Sequence, residues 1–152
     1  MTEDNEPLMD PAEYAALVRD ATDDQLAEGM SINRDLILEQ IFAAMPSQLN
    51  EEAVAGVALV ADWKILDRPD GGVDCWQVAI ADGACTVVRE GNQRPDVTFS
   101  IKPVDFVKLV TGNAHGPKLF LFGSLKIRGD LLKAARYQSY FRRPRARPRA
   151  EA

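Results

Sequence analysis

The chain has 152 residues, of which 46% are hydrophobic and 27% charged, and its formal net charge is −5. This size and apolar content favour one cytoplasmic domain, because no apolar run approaches the roughly 18 residues that cross a bilayer and the acidic start is no secretory signal. The two cysteines, Cys75 and Cys85, are too few for a secreted disulfide framework and lack the spacing of a metal cluster, so we expect free thiols.

Charge divides the chain into three segments. Residues 1–52 carry thirteen acidic side chains against two arginines, whereas residues 53–141 carry eleven basic and nine acidic side chains. Residues 142–152 carry five arginines and one glutamate. This division predicts a disordered N-terminus at 1–9, an acidic helical extension at 10–32, a folded domain at 33–141 and an arginine-rich disordered tail at 142–152.

The acidic first segment contains the start signals of three helices. Asp10–Glu13 supplies an N-cap, a proline at the first helical position and a carboxylate three residues after the cap. Thr22–Gln25 is a second start of this kind, and Gly29 is expected to end that turn. Asn33 is expected to cap a third helix that ends near Pro46, because the apolar residues between them follow the helical period.

After this segment, apolar residues recur at every second position, which indicates β-strands. Apolar side chains alternate with others over Val57–Ile65 and again over Cys75–Ile80, with turn residues between the two runs. Asp82-Gly83 predicts a tight turn into a third strand, Ala84–Glu90, and a fourth strand begins at Val97. We therefore expect a four-stranded antiparallel meander with one apolar face and one wet face.

The apolar face of this sheet needs a cover, and the remaining sequence predicts helices that supply one. Pro103 opens a helix that Gly112 stops, and Pro117 opens a short, very apolar segment. A fifth strand, Leu125–Arg128, leads to Gly129-Asp130, which caps a closing helix. The predicted fold is α+β: a five-stranded, mainly antiparallel sheet with one face covered by helices.

Three sequence motifs of this layout are informative through their order and spacing. They are Asp96-Val97 at the fourth strand, Phe106 with Leu109 and Gly112 in the next helix, and Gly123–Asp130 around the last strand. Together they resemble the sterol carrier protein 2 family over roughly residues 33–141. Ser124 departs from the lysine usual there, which changes a surface charge. The resemblance does not extend to the acidic helices or to the arginine tail.

The resemblance implies an apolar tunnel between the sheet and the helices that accepts fatty acyl chains, acyl-CoA, sterols or similar lipids. A long acyl chain offers roughly 10 kcal/mol, at about 0.8 kcal/mol per buried methylene, before ordering costs are subtracted. We therefore predict a non-catalytic carrier of an apolar small molecule. The predicted lining is Trp63, Trp76, Val78, Phe99, Phe106, Leu109, Leu119, Phe120, Phe122 and Tyr140. Without the resemblance, aromatic residues at these spacings would be interpreted as ordinary core.

Few residues suit catalysis, and we assign no catalytic residue, metal or cofactor. His115 lies in a loop between glycines with no serine or cysteine elbow nearby, and Gly71-Gly72 is a hairpin turn and not a phosphate loop. One alternative is an accessory or catalytic protein that acts on a hydrophobic polycyclic, polyketide or quinone intermediate in a biosynthetic pathway. Another is a protein-interaction module that kept the fold and lost the cavity.

The C-terminal tail is interrupted by prolines, so it can neither pack a core nor continue a helix. Its charge suits anionic lipid headgroups, at about 1 kcal/mol per arginine near the surface, or RNA phosphates, and a purely solubilising role stays open. We expect a transient contact with an anionic membrane surface and no specific nucleic acid. The arginines of this prediction are Arg142, Arg143, Arg145, Arg147 and Arg149.

Overall fold

The computed structural model describes residues 11–142, and over that range the chain forms five α-helices and five β-strands. The helices are α1 (Pro11–Asp20), α2 (Asp23–Ala44), α3 (Pro103–Val110), α4 (Gly116–Leu121) and α5 (Leu131–Tyr137). The strands are β1 (Leu59–Ile65), β2 (Asp74–Ala81), β3 (Ala84–Arg89), β4 (Val97–Ile101) and β5 (Leu125–Gly129). The disorder expected for residues 1–9 and for the tail after Arg142 concerns residues outside the described range.

Helix α2 is longer than its sequence signals predict. It begins after Thr22, whose side chain accepts a hydrogen bond from the Gln25 backbone N while the Gln25 side chain accepts one from the Thr22 backbone N, so the second predicted start is confirmed. The helix does not end at Gly29, so that prediction is wrong, whereas the predicted boundary at Asn33 is the position where two helices meet at a kink. Asn33 has non-helical backbone angles, φ −124° and ψ 30°, and separates the two helical parts of α2. Continuation buries Met30, which offsets the roughly 1 kcal/mol cost of a helical glycine.

The strands form one mixed sheet in the order β3-β2-β1-β4-β5. Strands β1 to β3 form the predicted meander. The sequence had predicted that β4 would lie beside β3, but it does not. It pairs with β1 in parallel instead. Strand β4 has an interior position in the sheet, and its Val97, Phe99 and Ile101 are buried. Strand β3 lies at an edge and is largely exposed. Three of the four strand pairings are antiparallel, which confirms the predicted fold class.

Stacked aromatic rings join the helices to one face of the sheet. The ring of Phe42 in α2 lies 4.7 Å from that of Trp76 in β2, measured between centroids. The ring of Phe106 in α3 lies 5.3 Å from both Phe42 and Trp63, the latter in β1. All four side chains are buried. The helices α2 and α3 are therefore fixed to the sheet by direct ring contacts.

Asp96 ties the start of β4 to its neighbours on both sides. Its backbone N donates to the Val60 carbonyl O at 2.7 Å, and its Oδ2 accepts from the Val60 backbone N at 2.8 Å. Its carbonyl O accepts from the Asp130 backbone N at 2.9 Å. Gly129 has φ +99°, and a Cβ there would overlap the Asp96 carbonyl O. These contacts explain why the sequence has an aspartate at this strand start and a glycine before the closing helix.

A buried ion pair anchors α2 to the hairpin of β1 and β2. The Arg34 Nε donates to the Asp74 Oδ2 at 2.7 Å, and the Arg34 Nη2 donates to the Ile65 carbonyl O at 2.7 Å. Arg68 and Arg89 approach the other carboxylate oxygen of Asp74, at 3.4 and 3.0 Å. Burial alone would raise the pKa of Asp74, but the hydrogen bond and charge of Arg34, helped by the other two arginines, hold that pKa below its ordinary value.

The acidic extension packs against the end of α3. The Asn113 Nδ2 donates to the Ala15 carbonyl O in α1 at 2.9 Å, and Lys108 of α3 forms an ion pair with Asp23 of α2. Val18 of α1 is buried as part of the main core. The division of the chain at residue 33 stays a prediction, and α2 runs across that position.

Candidate ligand-binding site

An open pocket of about 560 Å³ lies where α3 connects to α4. Its lining residues are Gly112, Asn113, Ala114, His115, Lys118, Leu119 and Phe122. The connection turns sharply because Gly112 adopts φ +78°, a conformation that favours glycine. The Asn113 Nδ2 holds this turn in place through its bonds to the Ala15 carbonyl O and to the Thr111 Oγ1, each at 2.9 Å. The pocket therefore has one wall fixed to α1 and α3 and another made by α4.

Helix α4 presents apolar side chains both inward and outward. Leu119 is half-buried and packs against the main core. Phe120, Leu121 and Phe122 are 47%, 78% and 76% exposed. Gly123, with φ +80°, follows directly and leads into β5. This helix has only six residues and lies between two glycine turns, so it is a candidate cover for the pocket.

Aromatic rings lie between the sheet and the helices, and they are called here the aromatic wall. Trp63 and Phe99 stack at 4.5 Å, and Tyr137 of α5 lies 5.6 Å and 5.2 Å from them, measured between centroids. The Trp63 Nε1 donates to the Tyr137 hydroxyl O at 3.0 Å, and that hydroxyl lies 3.9 Å from the Met45 Sδ. Burial raises the pKa of Tyr137, so its hydroxyl stays protonated in neutral solution.

Trp76 contains a buried donor that finds no acceptor. Its Nε1 has no hydrogen-bond partner among the described residues, although its ring stacks on Phe42 and carries the Arg89 guanidinium 5.5 Å from its centroid. Buried N–H groups are nearly always paired. An unpaired indole N–H in an aromatic wall is therefore a candidate donor for a polar atom of a ligand.

The predicted lining residues fall into two groups. The first group is buried in the core and consists of Trp63, Trp76, Val78, Phe99, Phe106, Leu109 and Tyr140. The second group belongs to the α4 segment, where Leu119 and Phe122 line the open pocket and Phe120 lies beside them. The role of both groups as the lining of one cavity stays a prediction.

Sequence reasoning missed several residues of this region. Phe42 and Tyr137 belong to the aromatic wall, and their positions on apolar helix faces were the available signal. Asn113 and Lys118 line the pocket, and only the glycine-flanked loop around them could have indicated it. His115, judged a poor catalytic candidate, is exposed at the pocket, and its side chain does not cap α4.

The polar chemistry of the described residues is sparse. Over residues 11–142, no three His, Cys, Asp or Glu side chains lie close enough to hold a metal ion. Burial raises the pKa of the Cys85 thiol to about 11, so it is not a thiolate at neutral pH. No helix within the same range is long and apolar enough to cross a membrane. The arrangement suits binding of an apolar molecule better than acid-base or nucleophilic chemistry.

Comparisons with known proteins agree with this arrangement. The sequence model of the SCP-2 sterol transfer family matches residues 38–142. The chain is 33% identical over 100 residues to the oleate-induced peroxisomal protein POX18 of Candida maltosa, a match that covers 65% of this chain and 78% of that protein. It is also 27% identical over 111 residues to sterol carrier protein 2 of Rattus norvegicus, covering 73% of this chain but only 20% of the rat protein.

A solved structure shares the fold. The apo form of sterol carrier protein 2 from Yarrowia lipolytica matches with a TM-score of 0.54 and 23% identity, covering 68% of this chain and 85% of that one. The region that matches the family model runs from the middle of α2 to the end of the described chain, so it contains the whole sheet, the aromatic wall and the α4 segment. By sequence and by fold, this chain belongs to the SCP-2 sterol transfer family.

Proposed function

We propose that the protein binds and carries an apolar small molecule, such as a fatty acyl chain, an acyl-CoA or a sterol, in a hydrophobic cavity reached under α4. The observation that supports this most directly is the α4 segment, whose Leu119 contacts the core while Phe122 lines an open pocket. Membership of the SCP-2 sterol transfer family supports the same function. Catalysis is not needed for it.

Movement of α4 would connect the open pocket with the aromatic wall. Gly112 and Gly123 adopt positive φ at the two ends of the segment, and backbone turns of this kind absorb rotations well. Lifting Leu119 away from the core would expose apolar side chains that an acyl chain can then cover. Each buried methylene contributes about 0.8 kcal/mol, so the chain itself can supply the stabilisation that opening costs.

Trp76 supplies a place for a polar atom of the ligand. Its Nε1 is buried and unpaired within residues 11–142, and Arg89 provides a positive charge over the same ring. A carboxylate or hydroxyl oxygen of a lipid would satisfy this donor. Arg142 is exposed, and the arginines after it lie outside the described residues, so their contact with an anionic membrane surface remains our prediction. The cytoplasmic location also remains a prediction, since the Candida relative is named a peroxisomal protein.

Titration with a fluorescent fatty acid tests the proposal. We expect saturable binding near one ligand per chain, and we expect Phe122→Asp to weaken it by at least about tenfold, because a charge at the pocket then opposes an apolar ligand. Ile32→Asp is the matched control, since Ile32 is 71% exposed on α2 and does not line the pocket. Absence of saturable binding by the unmodified protein would refute the carrier function.

A further inference from the structure

Helix α1 lies outside the part of the chain that matches the family model, yet it contacts the wall of the pocket. The match begins at residue 38, whereas α1 ends at Asp20. Ala15 and Val18 of α1 are buried, so the helix is packed on the domain through its apolar side. The Ala15 carbonyl O accepts a hydrogen bond from the Asn113 Nδ2 at 2.9 Å. An element that the family model does not cover therefore reaches a residue that lines the pocket.

The turn between α3 and α4 supplies residues 112–115 of the pocket lining. Its backbone is held at both ends. The Asn113 backbone N donates to a carbonyl of α3 at 2.8 Å, and the His115 carbonyl O accepts from the Leu119 N of α4 at 3.0 Å. Between these two bonds, the Asn113 side chain joins the turn to α1 and, through the Thr111 Oγ1, to the end of α3. This side chain thus fixes the pocket wall relative to α1.

The Asn113 amide belongs to a short chain of hydrogen bonds that runs from α1 to α3. Its Nδ2 donates to the Ala15 carbonyl O and to the Thr111 Oγ1, so both of its hydrogens are used. The Thr111 Oγ1 in turn donates to the Val107 carbonyl O at 2.7 Å, and Thr111 is buried. Polar networks in which the members satisfy one another make the local structure rigid. Loss of the amide would separate the turn from α1.

We propose that α1 is part of the ligand site, and that Asn113 is the positioning residue that couples α1 to the affinity for an apolar ligand. The inference rests on the proposed function, because it concerns the same pocket. A wall that is already fixed need not be ordered when the ligand binds, whereas ordering a loose wall reduces affinity. Breaking the bond between Asn113 and Ala15 should therefore weaken binding.

The coupling must also act in the opposite direction. If packed α1 raises the affinity for the ligand, bound ligand must favour packed α1 by the same factor. The backbone amides of α1 should then exchange with solvent more slowly in the complex, because local opening of this helix becomes less frequent. Strand β3 provides the comparison, since it contributes no residue to the pocket and lies at the sheet edge opposite to β5, the strand that contacts α4.

Binding of a fluorescent fatty acid to the full chain tests the role of Asn113. We expect Asn113→Ala to bind about fivefold more weakly, as the loss of one net hydrogen bond implies. Gln77→Ala is the matched control, because the Gln77 amide also holds a loop, through the Gln93 backbone O and N at 2.8 and 3.1 Å. Gln77 alternates with the buried Trp76 and Val78, so its side chain leaves the sheet on the face away from the helices. We expect Gln77→Ala to bind like the unmodified protein.

Hydrogen exchange of the unmodified protein, with and without palmitic acid, tests the coupling without any variant. We expect palmitic acid to slow exchange in α1 by about fivefold more than in β3, and Asn113→Ala to remove this difference. Slowing in α1 that does not exceed the slowing in β3 would overturn the coupling.

Equal affinity of Asn113→Ala and the unmodified protein, or an equal loss in Gln77→Ala, would overturn the role of Asn113. Thermal unfolding identifies a variant that has lost its fold, and the exchange measurement on the unmodified protein then decides. Absence of saturable binding by the unmodified protein would refute the carrier function together with this inference. Saturable binding that does not respond to Asn113→Ala would refute this inference alone.

Discussion

The guanidinium of Arg34 and the carboxylate of Asp74 meet at 2.7 Å although forty positions separate them, and both side chains are buried. Arg34 lies on the same face of α2 as the buried Leu38 and Phe42, one helical turn before the first of them. The ion pair therefore sits at the edge of the aromatic core and fixes how α2 lies across the β1–β2 hairpin.

Removal of this arginine should destabilise the protein strongly. Arg34→Met keeps the length of the side chain but leaves Asp74 buried with only the more distant Arg68 and Arg89, so we expect a loss of about 3 kcal/mol, at the lower end for a broken buried pair. Urea unfolding measures this loss of unfolding free energy. Arg19→Met, which breaks an exposed pair with Asp20, should cause no measurable loss. Equal effects of both substitutions would contradict the assigned role.

Acid should remove the same stabilisation. The folded protein holds the pKa of Asp74 below its ordinary value of about 3.9, so the contribution of its carboxylate is fully present above that pH and is lost as pH falls through the lower, folded pKa. The difference in unfolding free energy between the unmodified protein and Asp74→Asn should accordingly be constant near neutral pH and shrink below about pH 4. A difference that does not change down to strongly acidic pH would argue against an ionised Asp74.

The two tryptophans should respond differently to the same substitution. Trp63→Phe and Trp76→Phe remove similar volume from the core. In the described part of the chain, the Nε1 of Trp63 has a partner, the Tyr137 hydroxyl, and the Nε1 of Trp76 has none. We expect Trp63→Phe to cost about 1 kcal/mol more stability in chemical unfolding. Fatty acid affinity should show the opposite order, because Trp76→Phe removes the free donor. A larger stability loss in Trp76→Phe would show that its Nε1 has a partner after all.

The aromatic side chains of α4 should matter for binding more than for folding. Phe120→Ala with Phe122→Ala removes rings that are 47% and 76% exposed, so stability should fall by much less than the roughly 3–5 kcal/mol of a core Phe→Ala change. Fluorescent fatty acid binding should weaken in the same variant. Phe106→Ala, which empties a fully buried site, is the matched comparison. If the double variant unfolds as readily as Phe106→Ala, the two rings belong to the core.

Gly129 should tolerate no side chain. Gly129→Ala would force a Cβ onto the Asp96 carbonyl O and would also strain the backbone at φ +99°. We expect a loss of at least about 1 kcal/mol from the backbone conformation alone. Gly29→Ala provides the control, because it meets open space in a helix and should stabilise by up to about 1 kcal/mol. Thermal unfolding of both variants checks the pair.

Local signals in the sequence predicted local structure well. The capping box at Thr22 and the turn at Asp82-Gly83 depend on neighbouring residues only, and the structure has both. The predicted helix end at Gly29 was wrong because burial of the following turn outweighs a weak stop signal, whereas the predicted boundary at Asn33 coincides with the kink in α2. Which strand lies next to β4 was not readable, because alternation specifies a strand and its faces but not its neighbour.

The candidate site was readable only in part. Apolar spacing identified Trp63, Trp76, Phe99 and Phe106 of the wall, but it could not separate a filled core from a cavity, since both need the same side chains. The Arg34–Asp74 pair left one signal, a basic residue on the apolar face of a helix, which was not used. Position 122 is different: it belongs to the predicted lining, and its side chain is exposed at the pocket.

The kink at Asn33 gives α2 one position at which it can bend. The arm before it, Asp23–Ile32, is about 15 Å long and holds Asp23 against Lys108, while the arm after it is clamped to the sheet at Arg34. A force on α1 would bend α2 at this kink before it disturbed the sheet. The first contacts to part would be those of Asp23 and Ala15 with α3 and its turn, which form the fixed wall of the pocket. Force applied at the acidic end of the molecule would thus act on the rim of the pocket, and on Val18 and Met30 of the core, before it reached the sheet.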